Sequence, residues 1–232
     1  MAAGRGGQLF IVSGPSGSGK TSVVQHLLRT LPDMMFSVSY TTRAPRVGEQ
    51  DGREYRFLRR EEFEAMLARG EFLEHAEVFG SLYGTHASLL REAEQQGKDV
   101  LLDIDVSGAG QVKARRPEAV AVLLVPPSWK ALQERLRARG LDTPEMVRRR
   151  LEHARQEIAQ YEIYDYLVVN RVLEETCEQV RAIVLAERNR RAGLSPESAE
   201  AREAERRAAA ARKEATQEQV SAILERFEAQ TS

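Results

Sequence analysis

The chain has 232 residues, 42% of them hydrophobic, a length and composition that can bury a sizeable core. Its 34 basic and 35 acidic side chains nearly cancel, which argues against a generic nucleic-acid binder and leaves any anion site to local clustering. A single cysteine, Cys177, excludes an intrachain disulfide framework and a cysteine-rich zinc site, and the apolar run Ala119–Val125 is far too short to span a membrane. Leu9 to Val12 is likewise too brief for the apolar region of a leader peptide, so the expected setting is soluble, reducing and cytoplasmic.

In chain order, the first element is Leu9–Ser13, short, apolar and β-branched as a buried strand is. It runs into Gly14-Pro15-Ser16-Gly17-Ser18-Gly19-Lys20-Thr21, which fills the phosphate-loop pattern G-x-x-x-x-G-K-[ST]. A helix is predicted over Thr21–Arg29, with Val23, Val24, Leu27 and Leu28 at helical spacing. The chemistry needs this composition. Glycines let the main chain curl so that successive N–H groups converge on phosphate oxygens, beside the positive end of a helix. Lys20 can set an ammonium between the outer phosphates, and the Thr21 hydroxyl can ligate Mg²⁺.

Between Ser37 and Phe79 the texture changes. Ser37–Thr42 and Glu54–Leu58 alternate like half-exposed strands around a turn region Pro45–Gly52. Phe63, Met66 and Leu67 mark a short helix, and Glu71–His75 reads as another strand, giving a small inserted, partly antiparallel subdomain. Further strands are expected at Val100–Asp105, Ala119–Val125 and Tyr166–Val169. Helices are expected at Ser88–Gln96, Ser128–Arg139, Pro144–Gln160 and Glu174–Arg190, the last holding Cys177 in its buried face. Gly97 and Gly140 are placed to end helices, and Thr143-Pro144 to begin one. This alternation predicts an α/β fold with a mostly parallel sheet.

Past Ala192, Gly193-Leu194-Ser195-Pro196 breaks the pattern, and Ser198–Phe227 is strongly helical by propensity. Its apolar stripe is confined to Val220, Ile223, Leu224 and Phe227. A helix docking its end on the body is the favoured reading, with self-association or a partner helix as the alternative.

Two polar constellations stand out beyond the phosphate loop. Arg43 and Arg46 flank Ala44-Pro45 with Tyr55 shortly after, a clamp suited to a second phosphate. Asp103 and Asp105 close an apolar strand at the end where open α/β sheets gather ligands. Spaced two apart, they are expected on one side of that strand, Asp103 as a Mg²⁺ or water partner. Helix capping at the strand end is the other account of the pair. His26, His75, His86 and His153 show no metal or triad spacing and read as structural.

The run Ser37-Val38-Ser39-Tyr40-Thr41-Thr42-Arg43-Ala44-Pro45-Arg46, with Gly48-Glu49 and Gly52-Arg53-Glu54-Tyr55, resembles the signature of the guanylate kinases. Glu74, Tyr83-Gly84-Thr85, Leu102-Asp103-Ile104-Asp105 and Pro126-Pro127-Ser128 extend the likeness over roughly residues 8 to 190. The resemblance implies a P-loop NTPase three-layer core (8–36, 88–127, 161–191), a GMP-binding subdomain (37–87), a helical lid (128–160) and a charged helical tail (192–232). It implies reversible transfer of the ATP γ-phosphoryl group to GMP, giving ADP and GDP, with Mg²⁺, in purine nucleotide metabolism and GMP recycling.

By motif position, Arg43, Arg46, Tyr55 and Tyr83 correspond to holders of the GMP phosphate, and Ser39, Glu74, Thr85 and Asp105 to readers of guanine. Lys20, Arg43, Arg135, Arg139 and Arg150 correspond to groups that act on the transferring phosphoryl, with Arg148 and Arg149 open as substitutes. Asn170 aligns near the adenine, while Arg171 and Ser107 depart from residues common in the family. Related domains also serve as phosphopeptide-binding scaffolds, typically with degraded phosphate loops; here Lys20 and Thr21 are present. A kinase of another nucleoside monophosphate is the third alternative. Monomer and homodimer both fit, and a chain cut after Gly193 is expected to keep its activity.

Overall fold

Strand burial dictates the architecture. In the computed structural model, which describes residues 7–78, 80–138 and 143–228, β1 (Leu9–Ser13) is buried throughout. It alternates its side chains between two apolar clusters, Leu9 and Ile11 in one, Phe10 and Val12 in the other. A strand covered on both faces belongs inside a parallel sheet. Its partners are β2 (Met34–Phe36), β7 (Asp99–Asp103), β8 (Val120–Val125) and β9 (Tyr166–Val169), in the order β2-β7-β1-β8-β9 with every pairing parallel. The chain therefore departs from β1 in both directions. That places a switch point at the carboxyl end of the central strand, where ligands of such sheets bind.

Helices α1 (Lys20–Thr30) and α7 (Leu173–Arg191) cover one face. The other face carries α3 (Ser88–Gln96), α4 (Val106–Arg115), α5 (Trp129–Ala138) and α6 (Pro144–Ile158). Gly97 ends α3 in the left-handed region, and the Thr143 side chain caps α6 by accepting from Met146 N at 3.3 Å, as the sequence predicts. Phe79, Arg139 and Gly140, named above, lie outside the described residues.

One expectation is corrected at β7. The strand ends at Asp103, two residues short of the predicted end, so the two aspartates do not share a strand side. Asp105 instead caps α4, its Oδ1 accepting from Gly108 N at 2.7 Å. Helix α4 escapes sequence detection because Ser107, Gly108 and Gly110 dilute the helical signal of its first turns.

A second sheet stands over the cleft side. It joins β3 (Tyr40–Thr41), β4 (Arg56–Phe57), β5 (Phe72–Val78) and β6 (Ser81–His86) in the order β4-β3-β6-β5. Pairing is antiparallel except between β3 and β4. Helix α2 (Arg60–Ala68) closes a small apolar centre of Phe63, Phe72 and Leu82, with Phe63 and Phe72 stacked at 4.3 Å.

The tail is two helices, α8 (Ala199–Ala211) and α9 (Lys213–Glu228), and it wraps the edge of the main sheet. Ala208 and Ala211 join the α7 side; Val220, Ile223 and Phe227 are buried on the opposite side with α5 and α6. The break at Arg212 is where the chain rounds edge strand β9, making an antiparallel bridge to Tyr166. A single straight helix would overshoot that corner. Covering the edge also removes an open row of N–H and C=O groups from β9. Glu187 pins the corner by accepting from the Tyr166 hydroxyl and, at 3.0 Å, from Arg212, whose guanidinium lies 4.5 Å from the Tyr166 ring centre. Among the described residues, no helix is long and apolar enough to cross a membrane.

Candidate active site

The phosphate loop leaves β1 and curls back onto α1. Its main chain turns through Gly14 (φ 139°) and Gly19 (φ 101°), where other residues are strained. Gly19 is fixed twice over, since an added Cβ would lie 2.4 Å from Asn170 Nδ2. Ser18 N donates to Pro15 O at 3.0 Å, and Lys20 Nζ donates to the carbonyls of Gly14 and Pro15. Asn170 is 2% exposed and spends its side chain on the loop's support: Nδ2 donates to Ser18 O at 2.7 Å, and Oδ1 accepts from Thr176 at 3.1 Å.

Asp103 comes beside the loop because it pairs with Val12 in the β1–β7 register. From there a cleft of about 420 Å³ opens between the loop and the second sheet. One wall is the loop, including Ser16, Lys20 and Thr21; the other presents Ser39, Arg46, Tyr55, Glu74 and Tyr83. Thr85 is buried and faces Glu74 across the β5–β6 pair. Arg43 does not line the cleft. Its guanidinium bonds both Glu49 oxygens at 2.9 Å and Ala44 O at 2.7 Å, and lies 5.3 Å from the Tyr55 ring centre, backing that tyrosine.

Helix α6 supplies the third side. Arg150 NH1 donates to Ser16 Oγ at 3.0 Å, joining α6 to the loop, and His153 and Glu157 also line the cleft. The last two were read from sequence as structural or passed over. Their signal was present: with Arg150 they fall at i, i+3 and i+7, on one helix face. Arg135 on α5 donates to Asn170 O at 2.9 Å, and Arg139 lies outside the described residues.

The electrostatics divide the cleft. Burial pushes the Glu74 carboxyl up to about 7, with contact to Thr85 opposing the rise and the nearby Asp105 adding to it. Burial also raises Asp103, against the pull of Lys20, and raises Asp105, against the bond from Gly108 N. The hydrogen bond to Glu157 holds His153 above its ordinary value. Carboxylates thus sit where hydrogen-bond donors or a cation would be welcomed, and Lys20, Arg46 and Arg150 sit where phosphates would.

Curled main chain at the carboxyl end of a central parallel strand, with an acid on the neighbouring strand, is the arrangement of the P-loop nucleotide-binding enzymes. Comparison with known proteins narrows the class. A family model described as guanylate kinase matches residues 6–187. Guanylate kinase of Koribacter versatilis (strain Ellin345) is 54% identical over 188 residues, spanning 80% of this chain and 81% of that protein. That of Nocardia farcinica (strain IFM 10152) is 48% identical over 188 residues, spanning 80% and 97%. The crystal structure of guanylate kinase from Anaplasma phagocytophilum, 36% identical, superposes with a TM-score of 0.66 over 78% of this chain and 86% of that one. The chain belongs to the guanylate kinase family. Helices α8 and α9 lie beyond the matched residues.

Proposed function

We propose that this chain transfers the γ-phosphoryl group of ATP to GMP, reversibly, giving ADP and GDP. Family membership supports the reaction. The observation that carries the residue assignment is the single cleft with the phosphate loop on one wall and Arg46, Tyr55, Glu74 and Tyr83 on the other. Residues 37–87 then form the acceptor-binding unit, 128–160 the lid and the remainder of 8–191 the core.

ATP lies with its phosphates in the loop, gripped by main-chain N–H groups and Lys20. Thr21 and Asp103 would hold Mg²⁺, which supplies charge neutralisation at the phosphates. They fit it: both offer hard oxygen donors at the loop, and the buried Asp103 carboxylate has Lys20 as its charge partner. Arg46, Tyr55 and Tyr83 hold the GMP phosphate, with Arg43 stiffening Tyr55 from behind. Guanine presents donors at N1 and N2 and an acceptor at O6. Glu74 accepts from both donors, and Ser39 with Thr85 and Asp105 completes the polar frame. Adenine would leave that frame unpaired, and such sites discriminate by roughly 10⁴-fold.

No general base is required, because a phosphate monoester with a second pKa of about 6 is already largely ionised near neutrality. The work is to bring two anions into line and neutralise their repulsion. Lys20, Arg135 and Arg150 do this, the latter two arriving on α5 and α6, so the charge cage is complete only with the lid in place.

A coupled assay of ADP release with GMP, AMP, UMP and CMP tests the assignment. Turnover with GMP at least about 10³-fold above the others is expected. Equal turnover with AMP would remove the guanine assignment, and none with any acceptor would favour a phosphopeptide-binding scaffold.

A further inference from the structure

The tail helix α9 touches the two parts of the molecule whose relation sets the reaction. Its start is fixed to the core sheet: Lys213 N donates to Asp165 O at 3.0 Å, just ahead of β9, and Lys213 Nζ donates to Glu162 O at 3.0 Å. Nearly two turns before Phe227, Ser221 Oγ lies 3.4 Å from the Tyr161 hydroxyl. Its far end is held by α5 and α6. Phe227, fully buried, meets Trp129 edge to face at 5.3 Å between ring centres. It shares an apolar cluster with Leu132 and Leu136 of α5 and Val147, Leu151 and Ala154 of α6. From Lys213 to Phe227 helix α9 makes a rigid rod of about 21 Å between these anchors.

We propose that Phe227 is a positioning residue for phosphoryl transfer: α9 is a strut from the sheet edge, and Phe227 is the contact through which it fixes α5 and α6. Those helices carry Arg150, which bonds Ser16 of the phosphate loop, and Arg135, which bonds the carbonyl of the loop's brace Asn170, so the strut sets how both guanidiniums stand toward the loop. Catalytic groups need placement to roughly 0.5 Å, and a cavity where Phe227 sat would let α5 and α6 shift by more than that. Arg46, Tyr55, Glu74 and Tyr83 stand on the segments of the other sheet, and α6 adds to the cleft only Arg150, His153 and Glu157, none of them assigned to GMP. Phe227 therefore acts on turnover and leaves GMP capture alone. This rests on the assignment of Arg150 to the phosphoryl group in the proposed function.

The test uses full-length Phe227→Ala, Phe227→Leu, Arg150→Ala and the Phe227→Ala/Arg150→Ala double variant, assayed well below their melting temperatures with active sites counted by nucleotide titration. Expected is a kcat for Phe227→Ala lower by about 10- to 100-fold, with KM for GMP within about twofold of the parent. Phe227→Leu should restore most of kcat, and the double variant should lose less than the product of the two single losses. A kcat per active site equal to the parent's, or a fully multiplicative loss in the double variant, would overturn the proposal. Should Phe227→Ala not yield folded protein, Phe227→Val takes its place in the same cycle with Arg150→Ala, with a kcat several-fold below the parent expected and a parent-like kcat overturning the proposal. An unchanged kcat in Arg150→Ala would instead mark the assignment of the arginine as the error.

Discussion

A Cβ added to Gly108 would lie 2.5 Å from Oε2 of Glu74. The first turn of α4 and the buried carboxylate occupy a space that only glycine leaves open. Gly108→Ala should raise KM for GMP by about 5- to 100-fold, the cost of 1–3 kcal/mol for mispaired buried hydrogen bonds. KM for ATP should stay near the parent value. The same change adds roughly 1 kcal/mol of helix propensity, so a fall in melting temperature is not the expected cause. Kinetics with each substrate varied in turn, beside a thermal melt, separates the two effects.

With Glu74 as the proposed guanine contact, GMP capture should depend on pH. Its carboxyl is pushed up to about 7 by burial, and it must be ionised to accept from guanine N1 and N2. Binding therefore releases a proton below about pH 7, and KM for GMP should fall as pH rises from 6 to 8. The sign for folding is the reverse. A carboxyl raised above its unfolded value holds its proton longer in the native state, so it subtracts stability as pH climbs from its ordinary range toward 7. Glu74→Gln should flatten the KM profile near 7, leave the limb from the GMP phosphate near pH 6, and weaken discrimination by about 1–3 kcal/mol. A profile identical to the parent would rule the carboxylate out.

Lys20→Met should abolish measurable turnover while calorimetry finds GMP binding within a few-fold of the parent, because the lysine stands on the opposite wall from Arg46 and Tyr83. Arg150→Ala should cost about 10³-fold or more in kcat, the range for an arginine at a transferring phosphoryl group. Loss of GMP binding in Lys20→Met would mean the two nucleotides are wrongly partitioned.

The tail should prove integral to stability. Sequence alone predicts that a chain cut after Gly193 keeps its activity; the burial of Val220, Ile223 and Phe227 reverses that expectation. Each such side chain contributes about 1.5–3 kcal/mol, against a total stability of only about 5–15 kcal/mol. The Glu187 corner can be probed by itself. Glu187→Ala removes the acceptor shared by Arg212, Arg190 and the Tyr166 hydroxyl, but Arg190 still reaches that hydroxyl at 3.5 Å, and Arg212 is 36% exposed, so water repairs part of the loss. About 2 kcal/mol should disappear from ΔG in urea unfolding.

What could be read beforehand followed from local pattern. The loop, β1, β8, β9 and the strand holding Glu74 announce themselves by composition and period, whereas β2 and β6 do not, and Tyr83 on β6 is found only through its motif. What escaped depends on approach between distant segments. Helix α4 hides because Gly108 serves the contact with Glu74 at the expense of helical signal, and Gly110 dilutes that signal further. Asp105 looked like a strand residue because nothing local marks the end of β7 at Asp103. Asn170 is adjacent to the loop only through the fold, so its bond to Ser18 has no trace in the chain order. The turn at Arg212 answers to the position of an edge strand more than forty residues earlier.

The three aromatic and aliphatic side chains Phe63, Phe72 and Leu82 give the inserted sheet an apolar centre separate from the two that flank the main one. So small a nucleus is a weak cooperative unit, and in a denaturant titration the inserted sheet should melt before the rest. On the proposed division of the cleft, a molecule in that half-melted condition should still grip its donor nucleotide while having lost the receiving hand. Inactivation then runs ahead of global collapse, and the phosphoryl group stays on its donor.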